Sequence, residues 1–201
     1  MPYVTVNGRR VDYTEYDLRV GPIPLILLAE DRDWWRSIAR LIPWDYQLAS
    51  LAWAGDMELT VNDTVGFAKV MGMPWIHLVG YAAGARAALR AAAKSPKTVR
   101  SLTLIAPFAG AQTIEEALPW DRLSNLATPT LILEPQGAEP EEQQAVDRLL
   151  DLLPNSRPDL IRGWHDPLTD DLARRLAIAI VNQVETAYDG TTPVGVSTLR
   201  G

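Results

Sequence analysis

The chain has 201 residues, 47% of them hydrophobic and 22% charged, a length and composition that favour one domain with a substantial core and exclude disorder as the main state. With no cysteine and only two histidines, His77 and His165, it can form no disulfide, no thiolate-held zinc or iron-sulfur cluster and no three-histidine metal site. A net charge of −6 argues against a nucleic-acid or anionic-membrane surface, and no apolar run approaches the roughly 18 to 20 residues of a membrane span.

The N-terminus carries no basic-then-apolar leader, so a cytoplasmic location is expected. Tyr3 to Asn7 alternates, meets Asn7-Gly8 and resumes from Val11 to Tyr16, which predicts an antiparallel hairpin. Ile23 to Ala29 is apolar without alternation, as in a strand covered on both faces of a parallel sheet. A charged, Trp-rich stretch from Arg32 to Leu41 predicts a helix, and Leu48 to Ala52 a short buried strand. The next helix has Asn62 or Asp63 as its expected N-cap and Val65, Ala68, Val70 and Met71 as apolar positions.

Trp75 to Val79 then predicts a strand, Gly80 to Gly84 a tight turn of small residues, and Ala85 to Ala93 an alanine-rich helix that stops at Ser95-Pro96. Further strands are expected at Val99 to Ala106, Thr130 to Leu133 and Leu160-Ile161. A short helix is expected around Ile114 to Leu118, and longer ones over Glu141 to Leu153 and Asp170 to Tyr188. Strands alternating with helices predict a single α/β domain over residues 1–188: a mainly parallel sheet with an antiparallel N-terminal hairpin and helices on both faces. The Gly/Thr-rich stretch 189–201 has no helical pattern and reads as a C-terminal tail offering a second contact.

The hairpin, the strand ending at Ala29, the strand, turn and helix around Gly80 to Gly84, and a histidine loop before the last helix together resemble the α/β-hydrolase fold, over roughly residues 3 to 187. Arg86 to Pro96 and Val99 to Pro107 look like that family's post-nucleophile helix and next strand. The resemblance implies a G-x-S-x-G turn whose central serine attacks an acyl carbon. Here it reads Gly80-Tyr81-Ala82-Ala83-Gly84, and Ala82 has no oxygen with which to attack. Where the family has His-Gly for its oxyanion hole, this chain has Ala29-Glu30, and a carboxylate there would oppose a developing oxyanion. At the place of the family's acid stand Gln136 and Gly137, with Glu134 or Glu139 as a shifted substitute. His165 alone sits where the family's histidine sits, while His77 reads as a core histidine.

The resemblance also implies a helical lid, which the short segment from Phe108 to Thr128 reduces to almost nothing. Trp34, Trp35, Trp53, Trp120 and Trp164 are expected at the C-terminal edge of the sheet, either lining a site with Ala29, Glu30, Tyr81 and Ala83 or capping the core. That edge is the expected surface for a partner protein or an apolar small molecule, with the chain as a subunit of a complex. The favoured reading is a pseudoenzyme serving as a binding or assembly module. The alternatives are an esterase or thioesterase whose nucleophile Ala82 has replaced, using His165 and Glu134, and a cofactor-free lyase or cyclase with His165 as base. Nucleotide, dinucleotide and H-E-x-x-H metal motifs are absent, so no cofactor, metal or nucleic-acid partner is expected.

Overall fold

Asn7 and Gly8 both take positive φ, 50° and 79°, the pair of left-handed residues that a two-residue hairpin turn requires. They join β1 (Tyr3–Val6) to β2 (Arg9–Glu15) in an antiparallel ladder, as expected. The computed structural model describes residues 2–16, 21–111, 118–164 and 168–189. Among them β2 also pairs antiparallel with β4 (Tyr46–Leu51), and the pairings from β4 onward are parallel, through β3 (Ile23–Leu28), β5 (Ile76–Tyr81), β6 (Val99–Ile105), β7 (Thr130–Pro135) and β8 (Ser156–Ile161). The eight strands lie in the order β1-β2-β4-β3-β5-β6-β7-β8.

The unbroken apolar run of β3 has the reason given for it above. Ile26 and Leu28 join one core layer and Leu25 and Leu27 the other, so both faces of the strand are covered. On the first face pack α2 (Met57–Val70), α3 (Ala83–Lys94), the short α4 (Trp120–Leu123) and α5 (Pro140–Leu152). On the second lie a 3-10 turn (Arg32–Trp35), α1 (Arg36–Ala39) and the long α6 (Asp170–Asp189). The stretch read as one helix from Arg32 is thus two short pieces. α4, four residues behind Pro119, is too short to leave a periodic trace in the sequence.

The expected N-cap of α2 is corrected. The helix starts six residues earlier than Asp63, at Met57, because Asp56 adopts the extended cap conformation and its carboxylate accepts the Leu59 N–H at 2.9 Å. Asp63 lies inside the helix, buried, and holds the guanidinium of Arg9 on β2, tying the hairpin to α2. His77 is fully buried on β5, with Nδ1 2.7 Å from the Ser101 hydroxyl of β6. The helix expected around Ile114 lies outside the described residues, apart from the buried Leu118, as does the tail beyond Asp189.

Candidate functional site

Where β5 turns into α3, Ala82 sits at φ 50° and ψ −118°, a backbone region that an L-residue enters only under strain. Its N–H donates to the Ile105 carbonyl at 3.0 Å, and its own carbonyl accepts the Ala85 N–H at 3.0 Å, which fixes the turn from both sides. The flanking glycines allow the close approach. A Cβ on Gly80 would overlap the Gly84 carbonyl and the Ala85 backbone, and one on Gly84 would overlap the Leu28 carbonyl at the end of β3. The turn is therefore a tight, strained strand-to-helix elbow, and the side chain at its apex is a methyl group.

Strain at such a residue costs roughly 1–3 kcal/mol, whereas glycine adopts positive φ freely and costs only the extra freedom of the unfolded chain. Ala82→Gly is therefore expected to raise stability by about 1 kcal/mol, read as a higher urea midpoint at unchanged slope. A lower midpoint would mean that the elbow is not strained.

The neighbouring loop is arranged around Arg86. This first-turn residue of α3 is 9% exposed and donates to the carbonyls of Pro107 at 2.8 Å and Ala109 at 3.4 Å, pinning the loop that follows β6. Burial pushes its pKa down, and the carboxylate of Glu30 pushes it back up. Glu30 is exposed just past β3, and Ala29 is buried under the elbow at 1% exposure. The described neighbour of the Glu30 carboxylate is therefore the Arg86 guanidinium at the start of α3.

Aromatic rings roof the same edge. Trp34, on the 3-10 turn, lies flat on Tyr81, with ring centres 4.1 Å apart and planes 5° from parallel. Trp164, after β8, stands 5.8 Å from Tyr81 and 6.5 Å from Trp34, and the buried Trp35 meets Trp34 edge-on at 4.6 Å. Three candidate binding residues, Trp34, Tyr81 and Trp164, are therefore brought together immediately beside Ala82 and Ala83. Trp53 and Trp120 belong to a second group, packed on the opposite core layer, where Trp120 stacks on Phe108 at 6.0 Å beneath the Arg148 guanidinium. The tryptophans expected at the C-terminal edge thus divide between the two core layers, Trp34, Trp35 and Trp164 on one and Trp53 and Trp120 on the other.

Glu134 is in β7, opposite Leu160 of β8, and not in the turn where the sequence suggested it. Burial raises its pKa first, helped by the carboxylates of Asp147 and Glu142 on α5, which are its electrostatic neighbours. Beyond it Gln136 donates its N–H to the Ile161 carbonyl at 2.8 Å, and Gly137 turns the chain at φ 86°. His165 lies outside the described residues. Among the described residues no group of three or more His, Asp and Glu could hold a metal ion, and no helix is long and apolar enough to cross a membrane.

No protein-family model matches the chain, and no curated protein matches it. Solved structures do match. A predicted CIB-like hydrolase from Thermoplasma acidophilum aligns at 13% identity and a TM-score of 0.69, over 92% of this chain and 97% of that one. A serine-to-alanine variant of the meta-cleavage product hydrolase of Pseudomonas fluorescens IP01 aligns at 14% identity and a TM-score of 0.71, over 91% and 98%. The naproxen esterase of Bacillus subtilis aligns at 13% identity and a TM-score of 0.68, over 90% and 89%. With its strand order, its elbow at Ala82 and these likenesses over nine-tenths of its length, this chain has the α/β-hydrolase fold.

Proposed function

We propose that this is a non-catalytic α/β-hydrolase-fold domain whose C-terminal sheet edge binds a partner protein or an apolar ligand. The observation that carries the reading is Ala82: the elbow is held in its strained form, yet its side chain is a methyl group. Two further features support it. The sequence carries Ala29-Glu30 where the resemblance implies an oxyanion loop, and a carboxylate there would oppose an oxyanion; the ring of Trp34 lies on Tyr81 beside the elbow. Trp and Tyr clusters of this kind are the usual anchors of interfaces.

A panel of short and long p-nitrophenyl esters is expected to show no turnover above background. Ala82→Ser is expected to gain little, because the acid and the oxyanion loop remain changed. Ester turnover by the unmodified chain that His165→Ala abolishes would overturn the proposal. For binding, Trp34→Ala and Trp164→Ala are each expected to weaken the captured partner by roughly 2 kcal/mol, measured by titration, while Trp120→Ala leaves it unchanged.

One observation favours a second reading, a hydrolase in which alanine has replaced the nucleophile. A backbone strained for the needs of a nucleophile persists without one. Ala82→Ser separates the two, since strong recovery of esterase activity would make the alanine the only lesion.

A further inference from the structure

The opposite end of the sheet carries a feature that the elbow does not explain. β5 and β6 pair Ile76 with Val99 and then His77 with Ser101, so Arg100 is an extra residue, a β-bulge. Continuing the alternation of Leu104 and Leu102 without the bulge would turn Arg100 into the core layer beneath α2 and α3. The bulge instead puts Val99 into that layer at 3% exposure and leaves Arg100 at the edge, with its guanidinium 4.9 Å over the ring of Trp75.

Trp75 and Arg100 are two walls of a cleft of about 430 Å³ at the N-terminal edge of the sheet. That is within the roughly 300–1,000 Å³ usual for small-molecule sites. Pro74, Pro96 and Pro129 supply flat apolar wall, and Lys97 adds a second cation. Among the described residues, those that line the cleft include no carboxylate, on a chain whose net charge is −6. The far lip is held by hydrogen bonds from outside the cleft: Gln183 donates to the Pro129 carbonyl at 3.0 Å and Asn155 to the Ala127 carbonyl at 2.7 Å. This wall is fixed before any ligand arrives, which lowers the ordering cost of binding.

We propose that this cleft is a second binding site, for a small flat organic anion of the aromatic carboxylate class. Its ring lies against Trp75 and the prolines, and its carboxylate meets the cations of Arg100 and Lys97. Both halves of the ligand are required by the walls. Two cations attract an anion but are too few for a polyanion. Prolines and a tryptophan offer nothing to inorganic phosphate but favour a planar apolar body.

The test is calorimetric titration of the full chain with 2-naphthoate, its neutral analogue 2-naphthamide, and inorganic phosphate. The expected result is saturable one-to-one binding of 2-naphthoate, about tenfold or more tighter than of the amide or of phosphate. Lys97→Gln and Arg100→Gln are each expected to weaken it about fivefold or more, and added salt to weaken it further. Equal affinity for acid and amide, no response to either substitution, or no saturable binding would overturn the proposal. Lys97 is exposed, so its variant keeps the test decisive if loss of Arg100 disturbs the bulge. Amide chemical-shift changes are expected in 74–76, 96–100 and 125–129, and changes confined to 29–35 and 81–84 would also overturn it. The proposal does not depend on the reading of the elbow.

Discussion

Replacing Gly84 by alanine is expected to destabilise the domain by about 3 kcal/mol or more, a large share of the 5–15 kcal/mol that typically holds such a fold together. The added Cβ would meet not a side chain that can rotate away but the carbonyl of Leu28 and the N–H of Ala29, the backbone of a central strand. α3 would have to withdraw from the sheet. Its buried face consists largely of alanine, with Ala85, Ala87, Ala88, Ala91 and Ala92 all at 0% exposure, so it has no longer side chains with which to fill the gap. The same change at Gly137 is the control. There φ is 86° and nothing lies within 4 Å of the added carbon, so only the backbone penalty of about 1 kcal/mol applies. Equal urea midpoints for the two variants would mean that the elbow can open without loss.

Acidification is expected to weaken the fold through His77. Burial first, and then the charge of Arg100, hold its pKa down to about 4, against 6.5 for a free histidine. Between those values the unfolded chain binds a proton that the folded chain refuses, so stability is complete above pH 6.5 and falls as the pH drops towards 4. At about 1.4 kcal/mol per unit, this one group removes about 2–3 kcal/mol between pH 7 and pH 4.5. The share belonging to His77 is isolated by urea titrations at both pH values for the unmodified chain and for His77→Gln. The variant is expected to lose less on acidification by that amount, whatever its stability at pH 7. Identical losses would place the pH dependence elsewhere.

How legible these features were in the sequence depended on how local their causes are. The hairpin, the doubly covered β3 and the elbow between Gly80 and Gly84 follow from short patterns whose physics is complete within a few residues. The start of α2 is not legible in the sequence because Asn62-Asp63 has the composition of a cap, while the ion-pair partner of the buried Asp63, Arg9, lies 54 residues away in the chain. His77 reads as a core histidine and it is one, although among the described residues only Nδ1 has a hydrogen-bond partner. That the tryptophans follow strands is legible in the sequence, whereas the side of the sheet to which each turns depends on packing that no local pattern encodes. The cleft at Trp75 could not be seen at all. Its walls come from three separate segments, and the bulge at Arg100 exists only in the pairing of two strands.

The stacked rings beside Ala82 also make the edge visible to light. Indole and phenol groups held 4–7 Å apart at fixed angles share their electronic excitations, and the edge-on pair of Trp34 and Trp35 lacks the symmetry that would cancel the resulting rotation. This cluster therefore gives the protein its own circular-dichroism chromophore, distinct from the helical background and confined to one rim of the sheet. Anything that slides between Trp34 and Tyr81, or lifts Trp164 away from them, changes that band while the helices remain intact.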